Sequence, residues 1–406
     1  MGRTKRKRKK KRENERNDWT VVINLQKTMK VKCGNIRVGH FKETGRGMRC
    51  TRNIEKGDTL IALPLRNLIT PDSTSKVFSL LKGYDRHPQL DLSVLLIYES
   101  HLDRDSEYYC YLSTLPESYS NLFFCTAREA DLLPNSLKKL LTEQKKNVES
   151  LFEKLVYCLN DSKCPHCGMT MSKLARDKFI WAWFTVNTRS VYYEDEEHNK
   201  LMALAPLLDM FNHSSEAQTD MSIDFNNQLY ILKTNVGFKK DTQAFINYGS
   251  HSNLTLLLEY GFILPVNPYD EVKFTFEEIV DCVKQYSHKY GSISKLKYNF
   301  ILSNRLNQNL VKTLDEFSWN MNSLIYVLIA EDENLGVLQS KTYSSELTGT
   351  EQQITNTIKE ALVQNKLQIL KEELSEMEHL KNCTESFRLA KELVKTNMAI
   401  LQKNLT

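Results

Sequence analysis

The chain has 406 residues, 41% of them apolar and 26% charged, with nine cysteines and a net charge of +5. Such a length accommodates two or three domains of about 100–200 residues each, and the apolar share excludes a chain too polar to build a core. No apolar run approaches the ~18–20 residues of a membrane span, the N-terminus lacks the apolar stretch of a secretory signal, and irregularly spaced cysteines suit reduced thiols.

The chain begins MGRTKRKRKKKR, where Arg3, Lys5, Arg6, Lys7, Arg8, Lys9, Lys10, Lys11 and Arg12 carry nine positive charges; +5 less 9 leaves −4 for everything else. Like charges packed so densely repel one another, so residues 1–17 are expected to be a disordered basic tail. A nuclear-import signal is the favoured function, with expected localisation nuclear and cytoplasmic. The alternatives are a weak, sequence-blind nucleic-acid contact and a merely solubilising tail. An acidic body suits a basic macromolecular partner.

Residues 19–32 predict an amphipathic helix with Trp19, Val22, Leu25 and Met29 on one side. Three β-like runs follow, 36–41, 48–54 and 59–65, and the EKGD turn at 55–58 predicts a hairpin between the last two. A helix is expected over 90–103, strongly charged helical sequence over 126–160, and an aromatic helix over about 170–186. Strands are expected at 188–193, 206–211, 222–226, 229–234 and 242–247, then a helix in SNLTLLLEYG. From about 270 onward glycine is scarce and helical periodicity dominates. Val363, Leu367, Leu370, Leu374 and Met377 form a stripe better suited to packing on its own lobe than to a long coiled coil.

Four segments carry candidate chemistry. In ETGRGMRCT, Gly45 and Gly47 flank Arg46, which lets backbone approach a ligand; a glycine bulge explains the pattern equally well. VNTRSVYY places Asn187 and Arg189 at a helix end, where Arg189 could instead serve the last carbonyls. LLDMFNHSS ends an apolar run in Asp209, Asn212, His213 and Ser214, polar groups that are costly to bury without partners. FINYGSHSNLTLLLEYGF holds Tyr248, Tyr260 and Phe262, and two hydrogen-bonded core tyrosines are the bland reading.

Taken in order, GRG, NTRS, DMFNHS, INYG and EYGF resemble the SET-domain protein methyltransferases over about residues 34–265, and within them the Rubisco-methyltransferase-like branch. The resemblance implies an α+β fold: a SET domain of small twisted β-sheets over 18–265 with a helical insertion at about 120–186, then an all-α substrate-binding lobe over 270–406. It implies S-adenosyl-L-methionine as methyl donor, held by Asn212 and His213, with Arg46 and Gly47 lining the donor's other side and Arg189 and Asp209 in support. Tyr248 would stand beside the donor and the transfer channel, Tyr260 would be the catalytic tyrosine, and Phe262 would line the target-lysine channel.

The implied activity is protein-lysine N-methylation by a monomer acting on a basic protein, histone or not. One relative of the branch modifies histidine instead. The alternative is a catalytically inactive SET-fold scaffold. The cysteine clusters that flank the histone-type domain and bind zinc are missing here. SKCPHCGM at 162–169 does contain Cys164 and Cys167 in CxxC spacing with His166 between. A structural zinc site takes four ligands, commonly two such pairs. Only Cys158 lies nearby, so no metal is expected, and incidental or redox-sensitive cysteines are the preferred reading.

Overall fold

The structure is a computed structural model that describes residues 20–74, 87–159, 162–164, 166–168, 175–194, 197, 199–286, 293–331 and 349–403. Trp19 and the basic tail lie outside the described residues. The chain forms two compact units: Met1–Tyr119 with Thr142–Ser250, and Ser120–Leu141 with His251–Thr406.

In the first unit, helix α1 (residues 20–29) buries Val22 and Leu25, as its spacing requires. The strands β1 (Lys32–Cys33), β2 (Ile36–Phe41), β3 (Gly45–Cys50) and β4 (Thr59–Pro64) follow. The expected hairpin across 55–58 does not form. β3 pairs with β2, from Ile36↔Cys50 to Phe41↔Gly45, whereas β4 enters a different sheet. The turn itself is present, with Asp58 N donating to Glu55 O at 3.1 Å. It redirects the chain because β3 and β4 each find partners elsewhere. Leu60, Ile61, Ala62 and Leu63 of β4 are all buried, the pattern of a strand covered on both faces.

Helix α2 (Pro88–Leu102) packs against α4 (Arg176–Arg189), which buries Phe179, Ile180, Ala182, Phe184 and Val186. Between them runs α3 (Asn135–Cys158), whose residues from Thr142 on belong to this unit. Helix α4 ends three residues later than expected, so the next strand, β5, spans Ser190–Glu194 and pairs with β6 (Lys200–Leu204). The strand expected at 206–211 is instead a 3-10 turn, Leu208–Met210, followed by the two-residue strand β7 (Asn212–His213). Buried Leu207 at φ 74° breaks the extended run. Strands β8 (Thr219–Asp224), β9 (Leu229–Thr234) and β10 (Gln243–Ile246) complete two four-stranded sheets, β1-β4-β9-β8 and β2-β3-β10-β7. Among the described strands only β10 and β7 pair in parallel, Phe245 opposite Asn212 and Ile246 opposite His213.

In the second unit, β11 (Glu271–Lys273) and β12 (Val311–Thr313) pair, and the helices are α5 (Phe276–Tyr286), α6 (Lys295–Ser303), α7 (Trp319–Ile329), α8 (Gly349–Glu378) and α9 (Glu385–Gln402). The stripe on α8 buries Val363, Leu367, Leu370 and Met377 into this unit's own core, which also takes Leu122, Leu133, Leu137 and Leu141. Residues 120–141 therefore pack with the C-terminal helices. Glu129 sits at the joint: it caps its own helical turn through Thr126 N at 2.8 Å and holds Thr384 N and Oγ1, at 2.6 and 2.9 Å, at the start of α9. Burial pushes the Glu129 carboxyl up, but these donors outweigh it and hold it below its ordinary value.

Candidate functional site

The polar groups that close the apolar run in LLDMFNHSS each find at least one hydrogen-bond partner. A leucine at φ 74° is an outlier for a branched side chain. Its turn swings the chain from β6 into the Leu208–Met210 turn and places Asp209 inward, with its side chain fully buried. Arg189 Nη1 donates to Asp209 Oδ2 at 3.0 Å and to its carbonyl at 3.1 Å, and Tyr111 Oη donates to the same Oδ2 at 3.0 Å. Burial works against the Arg189 charge, but Asp209 raises its pKa above the ordinary value. Burial, reinforced by the Asp209 charge, holds the Tyr111 hydroxyl well above its usual range. Arg189 thus stays charged and Tyr111 stays a donor. The side chain of Arg189 turns to Asp209 rather than capping its own helix, so the ion pair sets where β7 begins.

On β7, Asn212 Nδ2 donates to the carbonyl of Arg46 at 2.9 Å, tying this strand to β3. The Arg46 guanidinium in turn donates to the Thr114 carbonyl. Gly47 lies against both β7 and β10. A Cβ there would stand 2.3 Å from Gln243 Nε2 and 2.7 Å from Asn212 Nδ2, so only glycine fits. Gln243 is itself fixed by Thr44 Oγ1, which donates to its Oε1 at 2.7 Å. Its buried Nε2 has no hydrogen-bond partner among the described residues.

His213 is buried, and its Nδ1 accepts the backbone N–H of Tyr248 at 3.0 Å, which leaves the ring proton of a neutral imidazole on Nε2. Tyr248 Oη donates to the Phe211 carbonyl at 2.5 Å, and the rings of His213 and Tyr248 lie 5.2 Å apart. Tyr248 is therefore held at both ends by residues adjoining the Asn-His pair. Gly249 follows at φ 133°, where a side chain would strain the turn.

Tyr260 and Phe262 belong to the second unit. The expected helix over SNLTLLLEYG is a single α turn, Asn253–Thr255, that widens into a π turn, Leu256–Tyr260. Gly261 ends it at φ 77°, close enough to Asn121 N that a Cβ would meet it at 2.7 Å. Ser120 Oγ donates to the Gly261 carbonyl at 2.6 Å, and Asn121 Nδ2 to the Leu258 carbonyl at 3.0 Å. These bonds absorb the backbone groups that a widened turn leaves unpaired. They fix the Tyr260 ring 5.8 Å from His251 and 6.2 Å from Phe262.

The structure thus gathers Arg46, Gly47, Asn212, His213 and Tyr248 at the meeting of β3, β7 and β10, with Arg189 and Asp209 anchoring the approach. Tyr260 and Phe262 are neighbours of each other. Sequence reasoning missed Tyr111, Thr114 and Gln243. Of these, only Gln243 left a trace, as a polar residue opening the apolar strand QAFI.

The description of the SET domain family matches residues 45–249. Among named proteins, the chain is 29% identical over 382 residues to "SET domain-containing protein 4" of Artemia parthenogenetica, covering 90% of this chain and 92% of that one. It is 28% identical to the "Ribosomal lysine N-methyltransferase set11" of Schizosaccharomyces pombe, over 56% of each chain. To the "Actin-histidine N-methyltransferase" of Danio rerio it is 25% identical, over 60% of this chain and 42% of that one. The fold is similar to a crystal structure of the SET domain of LSMT bound to lysine and AdoHcy, with TM-score 0.63, 18% identity, and coverage of 95% and 90% of the two chains.

Proposed function

The chain belongs to the SET-domain family, and on that premise we propose that it is an S-adenosylmethionine-dependent protein-lysine N-methyltransferase acting on a basic protein. S-adenosylmethionine supplies an electrophilic methyl group on a sulfonium. The observation that carries the reading is the cradle at Gly47. Asn212 and Gln243 converge on the glycine there, and a buried amide N–H of Gln243 has no acceptor among the described residues. A donor rich in hydroxyl, carboxylate and ring-nitrogen acceptors fits such a place.

Each residue then has a task. Asn212 and the Arg46–Gly47 backbone hold the donor, and His213 orients Tyr248 by accepting its N–H at Nδ1. The Arg189–Asp209 pair fixes the turn from which Asn212 projects. Tyrosine ring faces and hydroxyls attract a cation; Tyr248 is assigned to the donor, Tyr260 to the reacting amine and Phe262 to the amine's channel. A lysine amine, pKa about 10.4 in water, must lose its proton before it can attack. An apolar, aromatic channel disfavours the ammonium form, and no dedicated basic side chain is needed. Alignment and exclusion of water supply the rest. Docking of the protein substrate falls to the helical lobe 270–406, and nuclear entry to residues 1–12.

The test is calorimetric binding of S-adenosylmethionine to the full chain and to Asn212→Ala. Binding weakened at least roughly tenfold in the variant is expected from loss of a half-buried hydrogen-bonding amide. A folded wild type that does not bind the donor overturns the proposal. Tandem mass spectrometry of methylated protein substrate then decides between lysine and histidine.

A further inference from the structure

The CxxC segment acquires a third potential ligand in the folded chain. His101, in the last turn of α2, comes from a point 63 positions before Cys164 in sequence, and its Nε2 lies 3.0 Å from Cys167 Sγ. The ligand atoms of His101, Cys164 and Cys167 all lie within 4.8 Å of one another. Ligands around a tetrahedral zinc ion, with Zn–S about 2.3 Å and Zn–N about 2.0–2.1 Å, stand about 3.6–3.8 Å apart. The three groups therefore need only a small adjustment to share one ion.

The backbone prepares the same spot. Gly168 sits at φ 72°, and its N–H donates to the Cys164 carbonyl at 2.8 Å, a turn that keeps Cys164 and Cys167 close. A thiolate is the ligand form of cysteine. Exposure of Cys167 gives an ion a way in from solvent.

We infer that His101, Cys164 and Cys167 form a zinc-binding site that ties the CxxC cysteines to the end of α2. Zinc is favoured by two soft thiolates and one imidazole at tetrahedral spacing. Binding converts two thiols and a neutral imidazole into a Zn(S−)2N centre and releases two protons. The two thiolates then balance the charge of the ion, and solvent completes the fourth position. None of the three ligands is among the residues assigned to methyl transfer.

The test is zinc content by inductively coupled plasma mass spectrometry of the untagged full chain, purified without chelator and supplied with zinc. About one ion per chain is expected. Cys167→Ser, at an exposed position, and His101→Ala should each lower the content roughly tenfold, as a lost ligand does. Cys33→Ser should leave it unchanged. Cobalt in place of zinc should give thiolate-to-metal charge transfer in the wild type and lose it in Cys167→Ser. Circular dichroism establishes that each variant is folded. A folded wild type without zinc overturns the assignment, as does metal content indifferent to Cys167→Ser. So does a Cys164–Cys167 disulfide, seen as a loss of two hydrogens in the intact mass.

Discussion

Gly47→Ala is the sharpest test of the cradle. The added methyl would stand 2.3 Å from Gln243 Nε2 and 2.7 Å from Asn212 Nδ2, well inside contact distance. Neither amide is free to swing away. Asn212 is bonded to the Arg46 carbonyl at 2.9 Å, and Gln243 accepts from Thr44 at 2.7 Å. Relief breaks at least one of these bonds, about 0.5–1.5 kcal/mol, and strands a buried polar group at about 1–3 kcal/mol. A total of about 2–4 kcal/mol lowers the midpoint of thermal unfolding by roughly 4–16 °C for a unit of this size. Because the displaced groups are those assigned to the donor, its dissociation constant should rise about 5–150-fold, equivalent to about 1–3 kcal/mol. Calorimetric titration and a thermal melt measure the two quantities. Gly45→Ala is the control: Gly45 has φ 72° but nothing within 4 Å of the added Cβ. It should cost about 1–2 kcal/mol of backbone strain and leave donor affinity intact. Donor affinity within twofold of wild type in Gly47→Ala, or an equal loss in both variants, would refute the steric argument.

Tyr260→Phe removes one hydroxyl from a ring held among His251, Phe262 and the Gly261 turn. Methyl transfer should fall by roughly 10–1000-fold in kcat, the range for losing one group aimed at the reacting atoms, with donor affinity and melting nearly unchanged; normal turnover would remove Tyr260 from the catalytic role. Glu129→Gln should cost about 1–3 kcal/mol near pH 7, because one amide oxygen cannot replace two carboxylate oxygens that accept three hydrogen bonds. The Glu129 pKa is depressed in the folded state, so its contribution is present above about pH 4.3 and is lost as pH falls through the folded value. Urea melts of wild type and variant should therefore converge as pH falls below about 4.3 and through the depressed folded value, and a constant gap would contradict the linkage. Removing residues 1–12 should reduce nuclear entry of a fluorescent fusion without altering activity in vitro; unchanged localisation would leave only a solubilising role.

The sequence by itself determined what periodicity and composition encode locally. It set the α2 helix, strand β9 at 229–234, and the helical character beyond 270, whose stripe of Val363, Leu367, Leu370 and Met377 is buried as its spacing required. Ordered motifs carried the family, because polar residues in buried runs are rare enough to be informative. Partners in space were decided by tertiary structure alone. The 55–58 turn looked like a hairpin because a turn signal says where a chain bends, not which strand it next meets. Leu207, an ordinary apolar residue, adopts a left-handed conformation only because Arg189 and Tyr111 hold Asp209 beyond it. The widened turn before Tyr260 forms because Ser120 and Asn121, from far up the chain, take its unpaired carbonyls. His101 meets the CxxC pair for the same reason: contacts between residues distant in sequence follow from packing, which no local pattern specifies.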